Sequence, residues 1–124
     1  MVIKHQVVGY EQFVEHMKQY TKKDLVYVYY CGSKLPSGES WCIDCVRAWP
    51  VIEPKLSLAD ESAHFVYVEC GDRAFWKDMK CPFRKDPSTK LMVLPTLVKW
   101  KQPEKLEGDQ CEKPDLVEML FSDD

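Results

Sequence analysis

The sequence predicts an α/β fold, a sheet with helices packed on both faces, and three observations predict it. β-prone apolar runs alternate along the chain with stretches of helical periodicity. One run, Leu25-Val26-Tyr27-Val28-Tyr29-Tyr30-Cys31, is continuous, as in a strand covered on both faces. At 124 residues, 45% of them hydrophobic, the chain can fill one core but not two, so a single domain over residues 1–124 is expected.

The elements follow in order. Lys4 to Val8 reads as a short opening strand. Tyr10, Phe13, Val14 and Met17 recur at helical spacing and mark an amphipathic helix. After the Leu25–Cys31 strand, Gly32 to Ser40 is rich in Gly, Ser and Pro and reads as a flexible loop. A helix then runs from the following cysteine pair towards Ala59, with Pro50 inside it and Pro54 one turn later. Pro50 removes the hydrogen bond its N–H would make to the Val46 carbonyl, which kinks or ends a helix. Phe65 to Val68 is the next strand. Residues 71–90 are polar and irregular, with a short helix around Ala74 to Met79. Leu94 to Trp100 forms a strand entered through Pro95, and Lys105 to Glu107 could pair with it as a hairpin. The last helix opens at Pro114, a favoured first-turn position, and carries an apolar stripe of Leu116, Val117, Leu120 and Phe121.

Composition excludes several classes of function. With 30% charged residues and a full complement of apolar ones, disorder is not expected. A net charge of -3 gives no basic footprint for nucleic acid. No apolar run approaches the roughly 20 residues that span a bilayer. Met1 to Gln6 has neither a secretory nor a transit pattern, so a soluble cytoplasmic monomer is expected.

Trp41-Cys42-Ile43-Asp44-Cys45 carries the chemistry. A single Cys-x-x-Cys pair suits thiol–disulfide exchange: one thiolate attacks, and the neighbouring thiol resolves the mixed disulfide. The pair falls where a loop gives way to a helix. Free N–H groups and the positive end of the helix dipole there favour a thiolate at Cys42, the expected nucleophile. Cys45, one turn in, is expected to be more buried and to resolve. Asp44 opposes thiolate formation and should disfavour acidic substrate segments; it could also relay a proton for Cys45, or simply stabilise the first helical turn.

The other cysteines read differently. Cys31 and Cys70 end apolar runs and are expected in the core. Cys81 and Cys111 have polar neighbours, which suggests exposure. A zinc site is not expected: there is one close pair, and His5, His16 and His64 are scattered along the sequence.

Trp-Cys-x-x-Cys opening a helix, Pro50 five residues beyond Cys45, and Val93-Leu94-Pro95-Thr96 ahead of a strand together resemble the thioredoxin-like family. Gly32-Ser33-Lys34, Trp76-Lys77-Asp78, Phe83-Arg84-Lys85 and the ending Leu116 to Ser122 are similar to a small thioredoxin-related branch of it, over essentially the whole chain. The resemblance implies a central mixed sheet. It implies a cis Pro95 facing the cysteine pair, with Trp41, Ile43, Leu94 and Pro95 bordering the substrate. It further implies a cytosolic reductase of selected disulfides such as cystine, and of nitrosothiols, with no bound cofactor. Electrons would come from NADPH through thioredoxin reductase; dynein light chain is a further implied partner, and a redox-regulated interaction module in signalling is the alternative role. The family usually has Pro at the position of Ile43. The strand before the loop carries no aspartate, whereas thioredoxin uses one there as a proton acceptor. The Gly32–Ser40 loop is longer than thioredoxin's and is expected to crowd the groove against bulky substrates.

Overall fold

The structure is a computed structural model that describes residues 2–122. Five strands form one sheet: β1 (Ile3–Val8), β2 (Val26–Cys31), β3 (His64–Glu69), β4 (Thr96–Lys99) and β5 (Lys105–Glu107), in the order β1-β3-β2-β4-β5. The first three are parallel; β4 and β5 are antiparallel additions. The sheet is therefore mixed, with all-buried β2 at its centre.

Side-chain alternation on β2 sorts the helices onto the two faces. Tyr27 and Tyr29 meet Phe121 and Trp49, from α5 (Pro114–Ser122) and α2 (Ile43–Ile52) respectively. Tyr30 points the other way and meets Phe13 of α1 (Tyr10–Met17) and Phe83 of a short helix. All three tyrosines are essentially inaccessible.

Several elements differ from the reading of the sequence. The helix after the cysteine pair passes Pro50, ends at Ile52, and tightens into a 3-10 segment over Glu53–Leu58. Pro54 falls in the first turn of that segment, where a missing N–H costs nothing. Residues 71–90 hold two short helices rather than one, α3 (Arg73–Lys77) and α4 (Pro82–Lys85). The β4 strand proper begins at Thr96, and a further 3-10 segment, Gly108–Glu112, precedes α5.

Two readings are corrected outright. Cys81 and Cys111 are 2% and 0% exposed, not surface thiols; their polar sequence neighbours point outward while the sulfurs pack inward. The three histidines are not scattered in space. Parallel pairing of β1 with β3 brings His5 Nε2 to 3.0 Å from His64 Nδ1, and α1 lays His16 over them, its ring 4.7 Å from that of His5.

Candidate active site

The Gly32–Ser40 stretch is not the loose loop its composition suggests. Leu35 N–H donates to Glu39 O at 2.7 Å and Gly38 N–H to Leu35 O at 2.8 Å, while Lys34 and Ser40 form a β-bridge. The buried carboxylate of Glu69 fastens it from below, accepting from Lys34 N at 3.1 Å and from Gln6 Nε2 at 2.9 Å. Ser40 Oγ donates to Gly32 O at 2.7 Å and accepts from Cys42 N at 3.1 Å. The Trp41 indole N–H donates to Gly71 O at 2.8 Å. These bonds deliver the chain to Cys42 in one defined path.

Cys42 is the N-cap of α2, with extended backbone, and its sulfur accepts from Cys45 N–H at 3.3 Å. A sulfur is thus placed where a capping oxygen usually sits. The Cys42 thiol is brought down to about 7, first by the hydrogen bond from the Cys45 thiol and then by the N–H groups of Cys45 and Asp44; burial and the Asp44 charge oppose this. The partner thiol outranks the helix terminus, which the sequence reading had placed first. Cys45 moves far in the opposite direction, because its hydrogen bond to Cys42 and its burial both hold the proton. The pair therefore joins a thiol that ionises near neutrality to one that keeps its proton.

The Leu94–Pro95 bond is cis. It sets the Leu94 carbonyl 3.8 Å from the Cys42 sulfur, which donates to it. A groove of about 350 Å³ opens over Cys42. Of the expected substrate-bordering residues, Trp41, Ile43 and Leu94 line it, and Ile43 is 60% exposed. Pro95 does not line it; it is buried behind Leu94, with its carbonyl taking Gly108 N–H at 2.8 Å. The Asp44 carboxylate lies at the surface, 3.7 Å from Arg47 Nη1, with no hydrogen bond to either sulfur among the described residues.

Three features escaped the sequence. Tyr29, in the strand where thioredoxin keeps an aspartate, reaches under the pair and donates to the Cys45 carbonyl at 3.3 Å. Burial and the nearby Cys45 push its phenol far above the usual range, so it acts as a donor and not as a base. The groove is lined by Trp76 and basic residues of α3 and α4, and by no residue of the long loop. Lys34, Glu39 and Ser40 of that loop instead border a larger cavity, about 630 Å³, that reaches Cys45 from the β1 side. Phe65 and Tyr67, alternating on β3, and Trp49 of α2 give that cavity an aromatic lining.

Among the described residues no group of three or more His, Cys, Asp or Glu side chains is disposed to hold a metal ion. No helix among them is long and apolar enough to cross a membrane.

A β1-β3-β2-β4-β5 sheet with a Cys-x-x-Cys pair capping α2 and a cis-proline loop opposite defines a thioredoxin-like domain. Residues 6–123 match the family described as thioredoxin domain-containing protein 17-like, thioredoxin domain. The chain belongs to that family, whose thioredoxin-like character is consistent with a redox function. It is 41% identical over 118 residues to thioredoxin domain-containing protein 17 of Homo sapiens, covering 95% of this chain and 94% of that one. The corresponding protein of Danio rerio is 40% identical with the same coverage. Thioredoxin-like protein Clot of Arabidopsis thaliana is 39% identical over 89 residues, 69% of this chain and 66% of that protein.

Proposed function

We propose that the protein is a cytoplasmic thiol–disulfide oxidoreductase that reduces selected small or protein disulfides, such as cystine, and nitrosothiols, through Cys42 and Cys45. The observation that carries this is the Cys42 sulfur: at the N-cap of α2, brought down to about 7, 3.8 Å from the Leu94 carbonyl and facing an open groove. The Cys42 thiolate attacks one sulfur of the substrate disulfide and expels the other as a thiolate, which takes up a proton. Cys45 then loses its proton and attacks the Cys42 sulfur. The second substrate thiol departs, and a Cys42–Cys45 disulfide remains; two electrons have passed to the substrate.

The proton of Cys45 has two exits. Water in the cavity beside Cys45 is one. The other is Asp44, which would act through intervening water because its carboxylate faces Arg47. Thioredoxin reductase would return the pair to the dithiol at the expense of NADPH, with no cofactor resident in the chain.

The test is NADPH consumption with thioredoxin reductase, comparing cystine with insulin. Turnover of cystine with weak turnover of insulin supports the reading. Absence of turnover with both, in protein whose dithiol is intact, refutes it.

A further inference from the structure

Cations that have no carboxylate partner among the described residues line the groove over Cys42. Arg73 and Lys77 on α3, and Arg84 on α4, line it together with Trp76. Among the described residues none of the three forms an ion pair. Arg84 is held in place by two contacts: its Nε donates to Trp76 O at 2.8 Å, and its guanidinium lies 3.9 Å from the centre of the Trp76 ring. Its terminal N–H groups have no protein acceptor among the described residues and are not sealed from solvent. A fixed, half-buried guanidinium with its outer fork free is suited to a carboxylate.

The acidic residues nearby do not cancel this charge. Asp72 accepts from Phe75 N–H at 2.8 Å and Asp78 from Lys80 N–H at 2.9 Å, so each serves its own turn. Asp44 also borders the groove, but it faces Arg47. Apolar residues line the same groove, with Ile43 60% and Met92 71% exposed. An extended segment lying there would find both apolar surface and cationic groups within one groove.

Resting on the redox reading above, we infer that Arg84, with Arg73 and Lys77, selects disulfides that carry a carboxylate close to the reacting sulfur, the favoured substrate being an acidic peptide segment. This reverses the preference that Asp44 alone suggests. The cations draw an acidic segment into the groove; Arg84 takes one carboxylate in its fork, and the disulfide comes to rest on Cys42.

The test uses the full chain, reduced beforehand, and follows its oxidation in rapid mixing with three disulfide-linked peptides that differ only in two flanking residues: Glu, Gln or Lys. No reductase is needed. The Glu peptide should react about tenfold faster than the Gln peptide at low ionic strength, with the Lys peptide slowest, and the spread should shrink in high salt. Arg84→Gln should bring the Glu-to-Gln ratio close to one. Because Arg84 also packs on Trp76, the exposed pair Arg73→Gln/Lys77→Gln provides a second variant that leaves this packing alone and should lower the same ratio. Lys22→Gln, exposed in the turn after α1, should leave the ratio as it is. Equal rates for the three peptides, or a ratio that survives both groove variants, would overturn the inference while leaving the redox reading intact. If no peptide oxidises the dithiol, both fall together. Adding free glutamate, a small carboxylate without a disulfide, should compete only weakly; full inhibition would mean that the groove binds the anion alone and would overturn the role of the peptide.

Discussion

Trp41 lies against Gly32 so closely that a β-carbon on Gly32 would stand 2.6 Å from the indole Cε2 and 2.7 Å from Nε1. The glycine directly follows the central strand; the indole opens the Trp41–Cys45 motif. The strand end and the motif are therefore one packed unit, closed by the Trp41 bond to Gly71 O at 2.8 Å.

Gly32→Ala should push the indole away and break that bond. Overpacking of this kind costs about 1–3 kcal/mol. Thermal melting should show the loss, and the environment of Trp41, read by indole NMR, should change. A variant that melts like the parent with an unchanged Trp41 resonance would mean that the contact is absent in solution.

Cys42→Ser should reduce turnover to background. Cys45→Ser should retain the first attack and hold the substrate as a mixed disulfide, visible as a mass adduct on one cysteine. An adduct formed by the Cys42 variant instead would reverse the roles. In both variants Cys81 and Cys111 should stay unmodified until the protein is unfolded, since they are 2% and 0% exposed and burial pushes Cys111 up to about 12.

Alkylation of Cys42 should follow a single titration centred at about 7. The thiolate is the reactive form, so the rate falls below that pH and levels off above it. Cys45→Ala removes the hydrogen bond that contributes most to the depression, and the midpoint should rise towards the ordinary cysteine value of about 8.5. A midpoint unmoved by Cys45→Ala would assign the depression to the backbone N–H groups alone.

Mild acid should weaken the fold through the histidines. Burial first, and then the charges of neighbouring imidazoles, hold His5 and His16 below the usual value. In the unfolded chain each titrates near about 6.5, so between that pH and their lower folded values the unfolded state binds more protons and stability falls as pH drops. Melts recorded from about pH 7.5 to about pH 5 should show this fall, and His64→Gln, which removes a charged neighbour from both, should flatten it. A slope identical in the variant would place the acid sensitivity elsewhere.

The dithiol, its helix and the proline loop were legible in the sequence because each depends on local residues: Cys42 and Cys45 on a helix start, Pro95 at a strand entry, Leu25 to Cys31 as one apolar run. What was hidden depends on pairings far apart in the chain. His5 and His64 meet only through strand register. The order of the Gly32–Ser40 loop comes from Glu69, a charged residue at the end of an apolar strand that alternation alone would place at the surface. Arg84 reaches the groove because Trp76, eight residues earlier, holds it there. Periodicity over residues 71–90 was too short to separate two helices of five and four residues.

Apart from the residues of the Trp41–Cys45 motif itself, the groove is lined from the segment between β3 and β4, whereas both sulfurs of the pair lie at the start of α2. Under the proposed redox function, recognition and electron transfer are thus largely written in different stretches of the chain. On that reading, exchanging residues 73–85 for those of a relative should redirect the protein to new clients at an unaltered cysteine pair. The domain is in this sense a fixed electrical contact behind a replaceable socket.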